Sequence, residues 1–143
     1  MPWIPVLQGG DAVDYLAHLD AYQHAGVDLR DEPLVGLGSV CRRSHTYHSA
    51  VLASRLAGYG LRLHTFGYKT TGLIASAPHI ASSDSLAWSY AARRRPPLPG
   101  HRHAHCGNCL EFALAWRARM LSRVARHHPG VASDLPGIFP ARR

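Results

Sequence analysis

Short apolar runs alternating with segments of helical period constrain this chain more than any other feature. Ile4 to Leu7 is apolar apart from Pro5 and ends at Gly9-Gly10. Asp11 then stands where a helix cap belongs, ahead of Ala12, Tyr15, Leu16, Leu19 and Tyr22 at helical spacing, with Gly26 as the stop. Leu34 to Leu37 is a second apolar run. From Ser44, Leu52, Ala53, Leu56 and Tyr59 share one helix face, closed by Gly60. Leu61 to Phe66 alternates as a strand does and ends at Gly67, and one further strand is expected within Ile80 to Trp88. Arg93 to Gly100, with three arginines and three prolines, reads as a loop. Between Cys109 and about Arg126, Leu110, Leu114, Leu121 and Val124 predict the apolar stripe of a last helix. The order β-α-β-α-β-(α)-β followed by a helix predicts an α/β fold with a parallel sheet and right-handed crossovers.

A length of 143 residues suits one domain, and falls short of the roughly 250 residues of a complete (β/α)₈ barrel. Four strands fit either a small open sheet or half of a barrel. With 46% hydrophobic and 17% charged residues and no block of like charges, the composition is that of a folded chain. No apolar run reaches the roughly 18 residues of a membrane span, so no membrane contact is expected. Met1 to Gly10 lacks the pattern of a secretion signal, which makes the cytoplasm the default expectation. The net charge of +7 suits a nucleic-acid partner, and equally the Arg- and Ala-rich usage of a GC-rich genome. Cys41, Cys106 and Cys109 are odd in number, which favours a metal site or free thiols over a disulfide framework.

In parallel α/β folds reactive groups gather at the C-terminal ends of strands. Here those ends carry Gln8-Gly9-Gly10, Gly36-Leu37-Gly38-Ser39, Gly67-Tyr68-Lys69 and Asp84-Ser85. An amide, glycine turns that admit a ligand to the backbone, and one carboxylate suit a flat polar heterocycle. Gln8 can donate and accept hydrogen bonds, and backbone groups at Gly36 and Leu37 could meet a base edge.

The ordered set resembles the tRNA-guanine transglycosylases. Val6-Leu7-Gln8-Gly9-Gly10 is similar to their V-Q-G-G motif, and Val35-Gly36-Leu37-Gly38-Ser39-Val40 to their G-G-L-A-V-G-E strand end. Leu63-His64-Thr65-Phe66-Gly67 resembles the strand that ends in their G-V-G turn. Ser83-Asp84-Ser85-Leu86-Ala87-Trp88-Ser89 lies where the family has D-C-V-x-P-T-R, and Cys106-Gly107-Asn108-Cys109 where it binds zinc. The likeness runs over about residues 4 to 120.

The resemblance implies the C-terminal half of a (β/α)₈ TIM-type barrel, with a zinc-binding loop and a terminal helix. It implies an enzyme half that replaces guanine with a 7-deazaguanine of the preQ0 or queuine type in tRNA or DNA. Gln8, Gly9, Gly36, Leu37 and Gly67 would then bind the base. Asp84 would be the catalytic nucleophile that holds the sugar covalently, a role open to a carboxylate because it can capture an oxocarbenium-like carbon and leave again. Without the family context, the serines around Asp84 favour a turn or helix-cap aspartate. Cys41-Arg42-Arg43 follows Val40 where the family has its glutamate, and Ala87-Trp88-Ser89 replaces P-T-R. These departures resemble the branch that inserts deazapurines into DNA. The family's general base belongs to the first half of the barrel, so a partner chain or a homodimer is expected to complete it. A non-catalytic, zinc-containing nucleic-acid-binding module is the alternative. Arg42, Arg43 and Arg93-Arg94-Arg95 are candidate phosphate contacts.

His103-x-x-Cys106-x-x-Cys109 provides three ligands for one structural Zn²⁺, and the helix start just beyond favours thiolates. Ala104 replaces the first cysteine of the family's Cys-x-Cys-x-x-Cys. The fourth ligand is open among His101, His105, His127 and His128, the last two disfavoured by a straight helix that would put His127 about 27 Å from Cys109. The expected domain is 1–128, with the zinc segment at 101–109 and a flexible tail at 129–143.

Overall fold

A computed structural model describes residues 3–40 and 47–131. Cys41, Arg42, Arg43 and most of the expected tail, residues 132–143, lie outside the described residues. Four strands, β1 (Val6–Leu7), β2 (Val35–Leu37), β3 (Leu63–Thr65) and β4 (Ser82–Ser83), form one parallel sheet in the order β1-β2-β3-β4. Between them run α1 (Ala12–His24), α2 (Tyr47–Gly58) and α3 (Thr70–Ser76), the last followed by a 3₁₀ turn at Ala77–His79. Then α4 (Ala87–Ala92) and α5 (Leu110–His127) complete the described part. Strands that neighbour in sequence also neighbour in space, as half of a TIM-type barrel requires.

The expected start of α1 is present. The Asp11 carboxylate accepts from Val13 N (2.8 Å) and Asp14 N (3.1 Å), while Asp14 reaches back to Asp11 N (3.3 Å), a reciprocal capping box. Gly9 lets α1 come close, because a Cβ there would lie 2.6 Å from Asp14 Cβ and 2.9 Å from Tyr15 N.

Strand register divides the sheet into two faces. Leu7, Leu37, Thr65 and Ser83 align across it on one face, together with Val35 and Leu63. Against this face α1 and α2 bury Tyr15, Leu19, Leu52, Ala53 and Leu56 in the main core. The opposite face carries the row Val6, Gly36, His64 and Ser82, of which Val6, His64 and Ser82 are only half-buried.

The strand expected within Ile80 to Trp88 is present as β4, two residues long, and Trp88 belongs to α4. Ser85 causes the change of direction: its hydroxyl donates to Tyr68 O (2.6 Å) and accepts from Ala87 N (3.2 Å), which turns the chain and starts the helix. The stripe expected on α5 needs correction: Val124 is buried as expected, but its buried companions are Phe112 and Met120, while Leu110 is 72% and Leu114 48% exposed. The helix packs on α3 and α4, and that contact selects the side bearing Phe112 and Met120. Among the described residues no helix is long and apolar enough to cross a membrane.

Candidate functional site

All four strands are parallel, so their C-terminal ends lie along one edge of the sheet. There Gln8 follows β1, Gly38 and Ser39 follow β2, Phe66 and Gly67 follow β3, and Asp84 follows β4. Gln8 is exposed, and its backbone N–H donates to His18 Nδ1 (3.1 Å) on α1, which fixes the strand end. Tyr15 of α1 donates its hydroxyl to Gly38 O (2.5 Å) and pins the end of β2 in the same way. The next residue, Ser39, is exposed and adopts φ 60°, a left-handed conformation unusual for a residue other than glycine.

Asp84 is exposed at the end of β4. Its carboxylate accepts the N–H of Gly67, and its own N–H donates to Thr65 O (3.3 Å), so it ties together the ends of β3 and β4. It does not cap α4, whose first turn is served by Ser85. Two of the expected site residues, Gly67 and Asp84, are thus in direct contact. Gly67 takes φ 65°, a turn conformation that glycine adopts at low cost.

Gly36 and Leu37 are placed differently. Both are buried within β2: Gly36 N donates to Pro5 O (2.8 Å), and Leu37 O accepts from Phe66 N (3.4 Å). The Phe66 ring lies across Gly36, where a Cβ would come within 2.7 Å of it. A base approaching Gly36 from the half-exposed face therefore meets Phe66 first. On the same face His64 Nδ1 is 2.8 Å from Ser82 Oγ, and the His64 ring meets Phe66 edge-on with centroids 4.7 Å apart. Sequence reasoning passed over His64 and Ser82; the strand alternation of Leu61 to Phe66 was the signal that puts His64 opposite the core. Beneath the sheet, burial pushes the Tyr68 phenol above its ordinary range and keeps it neutral.

A second cluster lies at the start of α5. One ligand atom from each of His101, His103, Cys106 and Cys109 falls within 4.8 Å of the others. His103 Nε2 is 3.0 Å from Cys106 Sγ, His101 Nδ1 is 3.3 Å from His103 Nε2, and Cys109 Sγ is 3.6 Å from His101 Nδ1. Two thiols and two imidazoles converging in this way match the donor set and approximate span of a tetrahedral zinc site. His101 takes the position left open in the sequence. Its remaining nitrogen, Nε2, contacts Glu111 Oε2 at 3.0 Å, the outer carboxylate that commonly orients a metal-bound histidine. The other histidines are engaged elsewhere: His105 Nδ1 accepts from Gly107 N, His127 Nδ1 donates to Arg123 O, and His128 Nε2 donates to Ile74 O.

The loop is shaped by its backbone. Cys109 N donates to Cys106 O (3.1 Å), closing the Cys-x-x-Cys turn, and Leu98 N donates to Cys106 Sγ (3.3 Å). Buried Ser89 of α4 donates to Gly107 O (2.6 Å), which docks the loop on that helix. Cys109 is the N-cap of α5, so the cluster sits at the start of that helix. His101 was among the candidates for the fourth ligand; Glu111 was missed, and its signal was an acid in the first turn of α5.

Between the free edge of β4 and α5 lies a cavity of about 460 Å³, walled by Trp88, Trp116, Leu114 and Leu121, with Asp84 and Arg117 also lining it. Of the leucines expected in the core of α5, Leu114 and Leu121 border this space.

With this geometry in place, comparison with known proteins gives one match: the family model for DpdA, DeoxyPurine in DNA protein A, matches residues 1–134. No curated protein and no solved structure matches the chain.

Proposed function

The chain belongs to the DpdA (DeoxyPurine in DNA protein A) family, and on that premise we propose that it supplies the nucleophile of a transglycosylase exchanging guanine in DNA for a 7-deazaguanine. Family membership itself points to deazapurine modification of DNA. The exchange reaction, like kinship with the wider tRNA-guanine transglycosylases, is our extension of it. The observation that carries the extension is Asp84, an exposed carboxylate at the C-terminal end of a parallel strand.

In this mechanism one Asp84 oxygen attacks C1′ of the deoxyribose as the bond to guanine N9 breaks. The hydrogen bond from Gly67 N–H orients the carboxylate for the attack. Guanine leaves with the bonding pair and takes up a proton from solvent water. The incoming 7-deazaguanine then attacks C1′ through N9, loses its proton to a general base, and releases the carboxylate. Gln8, Gly9, Gly36, Leu37 and Gly67 form the base-binding side, and Phe66 must swing away for a base to reach Gly36. The general base is expected from the half of the barrel that lies outside these residues. Zinc held by His101, His103, Cys106 and Cys109 has a structural role, fixing the loop that precedes α5.

A second possibility, a zinc-containing DNA-binding module without turnover, is favoured by two contacts. The Asp84 carboxylate is already engaged by Gly67, and Phe66 covers Gly36. Labelled guanine separates the two when offered to duplex DNA and to tRNA by the protein in its native assembly. Exchange into duplex DNA is the expected result; exchange into tRNA alone, or into neither, contradicts the proposed reaction.

A further inference from the structure

Helix α5 has two very different exposed sides. After Glu111 it carries no acidic residue, but it has four arginines: Arg117, Arg119, Arg123 and Arg126. Arg119, Arg123 and Arg126 are spaced i, i+4 and i+7, which puts them on one face, and all three are exposed. Arg117 stands apart from them and lines the cavity beside β4. The ion pairs among the described residues are Arg30–Asp28 and His101–Glu111, so none of the three meets a carboxylate there.

The face continues beyond the helix. The Arg119 guanidinium lies 5.8 Å from the centroid of the Phe112 ring. Phe112 is buried with Ala92 and Cys106 in one cluster, and Arg93 directly follows Ala92. The Arg93 stem packs at Gly107, its Cγ 2.9 Å from where a Cβ would stand. The Arg93 stem at the Cys106 loop and the Arg119 guanidinium thus both lie beside the cluster of Ala92, Cys106 and Phe112. Arginines near a helix C-terminus also complement the dipole, which accounts for Arg126 and in part for Arg123. That effect fades within the last turn and does not reach Arg119 or Arg93.

We propose that Arg119, Arg123 and Arg126, continued by Arg93, form a track that binds the phosphate backbone of duplex DNA. The proposal rests on DNA being the substrate, and it assigns the surface that holds the duplex rather than the residues that act on a base. From Arg119 to Arg126 the helix rises about 10 Å, roughly three base-pair steps of duplex at 3.4 Å each. Guanidinium groups suit this task because they stay charged and pair with phosphate through two N–H donors. The contacts are to phosphates, so they confer affinity and salt dependence without sequence preference.

The test is the affinity of the protein, in its native assembly, for a duplex oligonucleotide over a range of salt concentrations. The slope of log affinity against log salt should fall by about 0.9 for each arginine that contacts a phosphate, hence by up to about 2.7 in R119Q/R123Q/R126Q. A control that removes the same charge elsewhere, R30Q/R55Q/R62Q, should keep the wild-type slope. Circular dichroism and zinc content should match wild type in both variants. An unchanged slope in the α5 variant, or an equal fall in the control, overturns the track while leaving the DNA substrate intact. Wild-type protein that fails to bind duplex DNA at low salt, or that prefers tRNA over it, overturns the substrate as well.

Discussion

The sheet region and the cysteine-histidine loop are held together by different means. In the first, thirteen buried apolar residues from β1 to β3, α1, α2 and their connections form one cluster. Around the loop only Ala92, Cys106 and Phe112 form a buried group, and Cys106 is itself a candidate ligand. Burial of apolar area stabilises by about 25 cal/mol per Å², so the small cluster, with Trp88, Leu98 and Trp116 packed against it, contributes less than the thirteen buried residues of the sheet core. A metal on the four candidate ligands would supply the difference. Chain segments too small to build a core commonly rely on a metal in this way.

Metal removal should break the comparison most strongly. Structural zinc in finger peptides binds with about 10–16 kcal/mol, so chelation, or Cys106→Ser, should abolish the order of the loop. Hydrogen exchange should then show protection lost over residues 98–112 and kept in β1 to β3. Next in size, Leu37→Ala should act in the opposite region. Leu37 is fully buried in the middle of the sheet, and such truncations cost about 2–5 kcal/mol. Urea unfolding should show a lower midpoint with zinc content unchanged.

Glu111→Gln should sharpen the contrast from within the loop. It leaves all four ligands in place and weakens only the contact to His101. Loss of such an outer partner commonly costs 10- to 100-fold in metal affinity, about 1.4–2.7 kcal/mol by the usual conversion, and competition with a chromophoric chelator would measure it. Smallest is an acid effect confined to the sheet region. Hydrogen bonds from the Arg30 side chain, then its backbone N–H, hold the Asp28 carboxyl at about 2 against an ordinary 3.8. A lowered carboxyl pKa stabilises the fold above the unfolded value, and that contribution is lost as pH falls from about 3.8 through about 2. The Asp28–Arg30 pair lies at the surface, with the Arg30 side chain 62% exposed, so solvent screens it and the change is slight. Comparing the midpoints of wild type and Asp28→Asn between these pH values should show the difference narrowing as acid is added.

The strand positions, the Asp11 cap and the apolar faces of α1 and α2 could be read from the sequence because each is a local pattern. Tyr15 and Leu19 fall at helical spacing and are buried as that spacing requires. What could not be read depends on partners distant in the chain. The buried side of α5 is chosen by contact with α3 and α4, so Leu114 and Leu121, which look like core residues, border a cavity. The last strand is cut short by Ser85, whose hydroxyl reaches back to Tyr68, seventeen residues earlier. His101 was one of four histidines left open by the sequence, and only the folded loop, tied by the Leu98 to Cys106 bond, brings it beside His103 and the cysteines. Gly36 fits the motif for a base-binding strand end, but the ring that lies across it comes from β3's end and not from its own neighbours.

Asp84 is where the proposed chemistry meets the fold, and its covalent adduct is the most direct test. The protein in its native assembly, incubated with duplex DNA and then denatured, should carry a DNA-linked species detectable by mass spectrometry. The link should map to Asp84 and vanish in Asp84→Asn, while affinity for duplex DNA stays near wild type. An adduct that survives in Asp84→Asn, or base exchange proceeding at the wild-type rate in that variant, would contradict the account.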